Sequence, residues 1–193
     1  MNFFPWVILL YIDECKGGGK VETNKLIRKA KKGDKEALLS LIMAQQSDYY
    51  KLAFVYMKNE DDVLDALQDM IVKLYDNINK LKKDEAFYSW SKTILVNICK
   101  SKLKENKKLL LLEEIKEDTL VEDFDNPQDK IILERYISKL SIKHQEIIKL
   151  RYYLDYDYES ISQILEIPLG TVKSRLNAGI TKMKEDLGGE YYE

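Results

Sequence analysis

Residues 161–176 read ISQILEIPLGTVKSRL, and this stretch decides how the last third of the chain folds. Apolar residues recur in it at helical spacing, and Glu166, Ile167 and Pro168 interrupt the pattern after a few turns. Proline is accepted where a helix begins, because its missing N–H would have no partner there. The stretch therefore predicts two short helices, 158–165 and 169 to about 187, joined by the tight turn of a helix-turn-helix.

The second of these helices has an outer face suited to DNA. Its expected packing stripe consists of Val172, Leu176, Ile180, Met183 and Leu187. Small or polar residues point the other way, flanked by cations: Thr171, Ser174, Asn177, Ala178 and Thr181, with Lys173, Arg175 and Lys182. Such a helix can approach base edges in the major groove while the cations neutralise phosphates. A plain amphipathic helix with a solvated outer face remains the alternative.

The rest of the chain also predicts helices, because few Gly or Pro interrupt it and no stretch alternates like a strand. Residues 113–129 carry eight acids against Lys116 and are typical of a solvated linker. The expected architecture is therefore all-α: a helical domain over 23–108, an acidic linker over 109–128 and a helix-turn-helix domain over 129–190. In the second domain, Ser141 is expected to cap a helix.

The most regular pattern lies in the first domain, after Asn59. Six apolar residues fall on one side of a predicted helix: Val63, Leu67, Met70, Ile71, Leu74 and Ile78. On the opposite side lies an acidic stripe of Asp62, Asp65, Asp69 and Asp76, which is expected to carry no apolar residue. The stripe is either a solvated face or a surface for a basic partner. Further upstream, Thr23 or Asn24 is expected to cap a helix that stops at Gly33, and Asp34 to cap the next helix.

A further helix is predicted from about Glu85 to Lys108. Its buried side is expected to contain Phe87, Ile94, Leu95 and Ile98, and its opposite side Thr93, Asn97, Lys100, Lys104 and Lys107, with Trp90 at the border. Residues 100–108 include five Lys against Glu105, a net +4 that suits the DNA backbone. Trp90 could stack on an unpaired base or could equally pack in the core.

Composition excludes several classes of function. The chain has 193 residues with one His and two Cys, too few ligands for a closed zinc site, so no metal is expected. It contains no GxxxxGK[ST] phosphate loop, and no nucleophile pair is suggested around His144. We therefore expect no enzyme, no cofactor and no small-molecule substrate. The low cysteine count favours a reducing cytoplasm.

The first 22 residues are expected to be an N-terminal extension, with translation starting either at Met1 or, by a second hypothesis, near Val21. The apolar stretch from Phe3 to Ile12 is too short to span a bilayer and lacks the flanks of a signal peptide. Residues 16–19, KGGG, can be encoded by a purine-rich string that contains a bacterial ribosome-binding sequence. This hypothesis places the translation start near Val21.

Three stretches resemble the bacterial sigma-70 family. Residues 161–176 resemble its region 4 signature, IAxxLGIPxGTVKSRL, with Ser162 for the usual Ala and Glu166 for the usual Gly. Residues 62–69, DVLDALQD, are similar to the region 2.2 pattern DAEDLVQE. Residues 87–90, FYSW, followed by Asn97, are similar to regions 2.3 and 2.4, with Ser91 where Leu is usual. Because no room is left for regions 1.1 and 3, the resemblance is to the extracytoplasmic-function, or group IV, sigma factors.

The resemblance implies a factor that binds core RNA polymerase and recognises and melts promoter DNA. Core polymerase would contact Asp62, Asp65, Gln68 and Asp69. The minus-ten DNA element would contact Trp90, Thr93, Asn97, Lys100 and Lys104. The minus-thirty-five element would contact Thr171, Lys173, Ser174, Arg175, Asn177 and Lys182. An anti-sigma factor is a further partner that the resemblance leaves open, and the alternative is a free-standing, dimeric helix-turn-helix regulator.

Overall fold

The computed structural model describes residues 20–110 and 127–190, and within these ranges the regular structure is helical, with no strand. The all-α prediction is confirmed. The chain divides into two compact units, Met1–Leu109 and Leu110–Glu193. Most of the expected N-terminal extension and of the acidic linker lies outside the described residues, so their boundaries stay predictions.

The first unit contains five described helices. They are α1 (Lys20–Lys31), α2 (Lys35–Met43), α3 (Gln46–Met57), α4 (Glu60–Asn77) and α5 (Phe87–Leu110). Two short 3₁₀ turns, Ile78–Lys80 and Asp84–Ala86, connect α4 to α5. The sequence placed the start of the last helix at about Glu85; the structure puts a 3₁₀ turn there and begins α5 at Phe87.

Side-chain caps set the starts of two helices in this unit, α2 and α4. The Asp34 carboxylate accepts a hydrogen bond from the Ala37 N–H at 3.0 Å, and the Asn59 side chain accepts one from the Asp62 N–H at 2.9 Å. The expected cap at Thr23 or Asn24 is wrong, because α1 begins at Lys20 and runs through both residues.

Helices α3, α4 and α5 supply much of the core of the first unit. Fully buried side chains include Leu52, Met70, Leu74, Phe87 and Leu95. Three residues expected on buried faces, Leu67, Ile71 and Ile94, are only half-buried. Polar groups also lie inside: a hydrogen bond of 2.6 Å joins the Tyr49 hydroxyl to Ser91 Oγ. The departure from Leu at position 91 is thus matched by a buried hydroxyl partner on α3.

The second unit contains α6 (Pro127–Lys139), α7 (Ile142–Tyr152), α8 (Tyr158–Leu165) and α9 (Leu169–Glu190). The predicted limits of α8 and the start of α9 are confirmed. Asp157 caps α8 by accepting a hydrogen bond from the Ser160 N–H at 2.6 Å. Ser141 lies at the N-cap position of α7 but makes no side-chain cap bond, so the expected cap is wrong in that respect.

Helices α6 and α7 are joined by a half-buried polar cluster. Glu134 accepts hydrogen bonds from the Tyr153 hydroxyl at 2.9 Å and from Lys149 Nζ at 3.4 Å. Burial raises the pKa of the Tyr153 hydroxyl, and the Glu134 carboxylate raises it further. Lys149 is buried, which is tolerated because its ammonium has this carboxylate partner.

Candidate functional site

The acidic stripe of α4 is exposed along most of its length. Asp65, Gln68 and Asp69 are exposed, and Asp62 is partly exposed, with one carboxylate oxygen accepting a hydrogen bond of 2.7 Å from Asn59 Nδ2. Acids at the start of a helix are favoured by its dipole, so part of this charge also stabilises α4. The four residues expected to contact a protein partner therefore lie on one accessible part of the molecule.

The expectation that this side of α4 carries no apolar residue is wrong. Val72 lies among the acids and is 60% accessible to solvent, and Leu64 and Tyr75 are exposed farther around the helix, toward its buried side. Spacings of four residues place Gln68 between Leu64 and Val72 on the helix surface. The sequence contained a signal for this, because Val72 falls next to Asp65 and Asp76 at 100° per residue. The surface therefore combines negative charge with apolar contact area.

Lys102 of α5 reaches into the acidic stripe. Its ammonium lies 2.8 Å from Asp69 Oδ2. The hydrogen bond to Asp69 raises the pKa of Lys102, and the charges of Asp65 and Asp62 raise it further. The sequence counted Lys102 with the cations of a DNA-binding face. The structure corrects this, because Lys102 is turned roughly 160° around α5 from both Lys100 and Lys104.

The rest of the predicted DNA-contacting side of α5 is mostly confirmed as exposed. Asn97, Lys100 and Lys104 are accessible, and Trp90 is half-buried, with its ring centroid 6.5 Å from that of Phe87. Thr93 is the exception and corrects the expectation. It is 8% exposed, and its hydroxyl donates to the Ser89 carbonyl at 3.0 Å. Thr93 therefore packs inside the unit rather than on its surface.

The outer face of α9 presents the expected polar residues. Lys173, Ser174, Asn177 and Lys182 are exposed, while Thr171 and Arg175 are partly exposed. Val172 and Leu176 of the predicted packing stripe are buried, whereas Ile180 and Met183 are only half-buried, and the side chain of Leu187 lies outside the described residues. The predicted minus-thirty-five residues are thus all at least partly accessible, but Lys173 lies roughly 160° around α9 from Thr171 and Arg175.

Two residues outside the recognition helix were missed by the sequence analysis. The ring of Tyr158, at the start of α8, has Lys173 Nζ 5.8 Å from its centroid and the Arg151 guanidinium carbon 5.5 Å from it. Arg151 also donates a hydrogen bond of 3.0 Å to the Tyr156 carbonyl. An aromatic face attracts cations at such distances. Tyr158 therefore helps to orient Lys173.

The two departures from the family signature lie in α8 and in the turn that follows it. Glu166 adopts the left-handed conformation, with φ 54° and ψ 42°, which explains why Gly is usual there. The Ser162 hydroxyl donates to the Ile167 carbonyl at 2.7 Å. The serine thus adds a hydrogen bond to the turn that the glutamate strains.

Neither metal ligation nor a membrane span is found in the part of the chain that the structure describes. No group of three or more His, Cys, Asp or Glu lies together closely enough to hold a metal ion in 20–110 and 127–190. Over the same ranges, no helix is both long enough and apolar enough to cross a bilayer.

Comparisons with known families match both units. The family profile described as Sigma-70 region 2 matches residues 41–109, and that described as Sigma-70, region 4 matches residues 130–183. Helices α3 and α4 and all but the last residue of α5 lie within the first match. The second match contains α7, α8 and α9 as far as residue 183.

Named relatives extend the match beyond these regions. The chain is 30% identical over 162 residues to RNA polymerase sigma factor SigV of Bacillus subtilis, which covers 84% of this chain and 98% of the relative. It is also 30% identical over 166 residues to the ECF RNA polymerase sigma-E factor of Haemophilus influenzae, covering 78% of this chain and 87% of the relative.

Solved structures show the same fold at lower identity. CnrH in complex with the cytosolic domain of CnrY matches with a TM-score of 0.63 and 17% identity, covering 86% of this chain and 97% of CnrH. The sigma factor RpoE in complex with the anti-sigma factor NepR, from Bartonella quintana, matches with a TM-score of 0.61 and 19% identity, covering 76% and 94%. From the sequence relatives and both regional matches, this chain belongs to the extracytoplasmic-function group of the sigma-70 family.

Proposed function

We propose that this chain binds core RNA polymerase and directs it to promoters, where the chain recognises and helps to melt the DNA. The observation that carries the proposal is the alignment with SigV, which spans nearly all of that RNA polymerase sigma factor. The order of region 2 before region 4 supports the same function. The chain itself is not proposed to catalyse a reaction or to hold a cofactor.

Core polymerase would dock on α4, at Asp62, Asp65, Gln68 and Asp69. The exposed acids favour a basic partner surface, which would speed encounter and select the right partner. Exposed Val72 adds apolar area beside the charges. Stable protein interfaces combine an apolar centre with a polar rim, so this composition suits a docking surface better than a wholly solvated helix face.

Promoter melting would use the exposed side of α5. Asn97 is proposed to contact an unpaired base of the non-template strand, and Lys100 and Lys104 to hold its backbone by charge. Trp90 is partly accessible and is proposed to stack on an unpaired base. Thr93 was in the expected contact set, but its burial assigns it to packing instead.

Recognition of the minus-thirty-five element would use α9. Ser174 and Asn177 are proposed to contact base edges, together with Thr171, because their side chains are short and lie near the start of the helix. Lys173, Arg175 and Lys182 would contact phosphates. The phosphate contacts would fix the position of α9 along the DNA, while the base contacts would select the sequence.

Two further expectations belong to this proposal. We place the protein in the cytoplasm, where core polymerase and promoter DNA are found. An anti-sigma factor is a proposed regulatory partner, since the fold neighbours CnrH and RpoE were solved with CnrY and with the anti-sigma factor NepR.

Run-off transcription with purified core polymerase tests the proposal. The full chain should form a holoenzyme, support transcription from specific promoters and give start sites that map to a shared sequence pattern. A free-standing regulator would instead bind paired DNA sites as a dimer without core polymerase and would not co-purify with it. That second result would overturn the proposed function.

A further inference from the structure

Lys102 is a cation that reaches the proposed docking surface from another helix. It extends from α5 to Asp69 on α4, with 2.8 Å between Nζ and Oδ2. Its side chain is 27% exposed, whereas that of Asp69 is 52% exposed. The lysine is therefore partly sheltered, and the carboxylate remains accessible to a partner.

The Lys102–Asp69 contact uses a carboxylate that a basic partner would also bind. A carboxylate can accept a bidentate pair of hydrogen bonds from a guanidinium only when both oxygens are available. Asp69 Oδ2 is already bonded to Lys102. The ammonium also repels any cation that approaches Asp65 or Asp69, since like charges across an interface oppose association.

Because the proposed function makes this surface the polymerase-docking site, Lys102 bears on its affinity and regulation. We propose that Lys102 is an internal competitor: it holds Asp69 in the free chain and gives it up when an arginine of the docking partner binds. The surface thereby favours a partner that presents a guanidinium fork. A single lysine would only replace one monodentate ammonium by another.

The competition also fits the position of Lys102 on its helix. Lys100 and Lys104 lie on the opposite side of α5, where they are available for DNA. Lys102 instead faces α4, so its charge cannot serve the same DNA surface without a rotation of the helix. Its nearest described charge partner is the acidic stripe, and its effect is expected on protein docking rather than on DNA binding.

The test measures affinity of the full chain for core polymerase, without DNA, at two salt concentrations. Lys102→Gln should raise the affinity about two- to fivefold at low salt, the range expected for one exposed ion pair, and less at high salt. Lys102→Arg should lower it, because a guanidinium holds Asp69 more firmly than an ammonium. Lys51→Gln, which removes an exposed lysine of α3, is the matched control and should leave affinity unchanged.

A double-mutant cycle assigns the effect to the contact. In an Asp69→Asn background, Lys102→Gln should change the affinity much less than in the wild-type chain. If Lys102→Gln and Lys102→Arg both weaken binding, Lys102 positions the surface rather than competing for it, and the inference is wrong. Cooperative thermal unfolding of each variant checks that the fold is retained.

The same assay separates this inference from the proposed function. Asp65→Lys with Asp69→Lys should abolish core binding if α4 is the docking surface. Retained binding by that folded double variant would remove α4 from the interface. Loss of binding there, with no response to either Lys102 variant, would leave the docking site intact and overturn only the competition.

Discussion

The Cys99 thiol illustrates how burial controls a single residue. Cys99 has no exposed surface in its helix, and desolvation raises the pKa of its thiol to about 12. The thiolate is the reactive species, so a buried thiol with this pKa is inert near neutral pH. The sequence analysis gave Cys99 no functional role, and its packing explains why none is needed.

A Cys15→Ser variant would isolate this thiol for measurement. We expect its remaining cysteine to resist alkylation at pH 8 in the native state and to react after denaturation. The pKa of Cys99 is higher in the folded protein than its unfolded value of 9.0, so the buried neutral thiol is compatible with the folded state at low pH. This contribution to folding stability is fully present below pH 9 and is lost as pH rises toward 12. Rapid alkylation of the folded variant would contradict the burial of Cys99.

Glu166 and Ser162 make opposite contributions to the helix-turn-helix. Glu166→Gly should stabilise the second unit by about 0.5–1 kcal/mol, since glycine relieves the left-handed strain but is more flexible when unfolded. Ser162→Ala should destabilise it by about 1 kcal/mol through loss of the bond to the Ile167 carbonyl. Urea unfolding of the full chain measures both changes. Equal effects of the same sign would contradict this account of the turn.

At the scale of helices, Gly179 permits the close approach of α9 to α7. A Cβ added there would lie 2.9 Å from Ile148 Cδ1 and 3.3 Å from His144 Cβ. Gly179→Ala should therefore destabilise the unit by about 1–3 kcal/mol, because Ile148 is itself buried and has little room to move. Shortening the neighbour in Gly179→Ala with Ile148→Val should recover part of the loss.

Gly170 in the same helix is the matched control for this substitution. No atom lies within 4 Å of a Cβ added at Gly170. Gly170→Ala should leave stability unchanged or raise it slightly, since alanine favours the helix and reduces the freedom of the unfolded chain. Equal losses from both alanine variants would show that helix propensity, and not packing against α7, decides the result.

The recognition helix α9 should separate two kinds of DNA contact. Lys173→Ala and Arg175→Ala should weaken holoenzyme binding across promoter sequences and each reduce the salt slope by about one, if both residues contact phosphates. Ser174→Ala and Asn177→Ala should instead change the preferred bases, with about 1–3 kcal/mol for each lost contact.

Lys184→Ala removes a further exposed lysine of α9 and serves as the control for charge. Binding should be measured by titration at several salt concentrations on a set of promoter variants. If the alanine variants at residues 173, 174, 175 and 177 change neither the affinity for promoters nor the preferred bases, α9 is not the recognition helix of this protein.

The elements that the sequence predicted well are those with local signals. Asp34 caps α2 through a bond to the residue three positions later, α4 begins directly after Asn59, and Pro168 separates α8 from α9. Such contacts lie within a few residues of one another. They can therefore be inferred from residue type and spacing alone.

The errors lie where distant helices decide the environment. Thr93 sits on the predicted outer side of α5, yet it is buried together with its neighbours Ser91 and Lys92, so α5 is covered over a wider arc than one apolar stripe indicates. Lys102 pairs with Asp69, 33 positions earlier in the chain. A helical wheel gives the angle of a residue around its helix but not which other helix packs there. Tertiary packing therefore decides the burial of Thr93 and the pairing of Lys102.

For the molecule as a whole, charge is divided unevenly along the sequence. The net charge is −2, yet residues 113–129 alone carry −7, so the other residues together carry +5. The exposed lysines assigned to DNA lie within that positive remainder. This small excess favours DNA binding as part of a polymerase complex over strong binding by the chain alone.

The function of the whole complex is most sharply tested at Asn97. Its side chain is exposed on α5 near partly accessible Trp90, and loss of a base contact typically costs about 1–3 kcal/mol. Asn97→Ala should therefore reduce open-complex formation on duplex promoters roughly fivefold or more, while core binding stays unchanged. Permanganate footprinting measures the melted thymines directly. A template with a pre-melted bubble should partly rescue the variant, whereas unchanged thymine reactivity on duplex DNA would show that Asn97 is only a surface residue of α5.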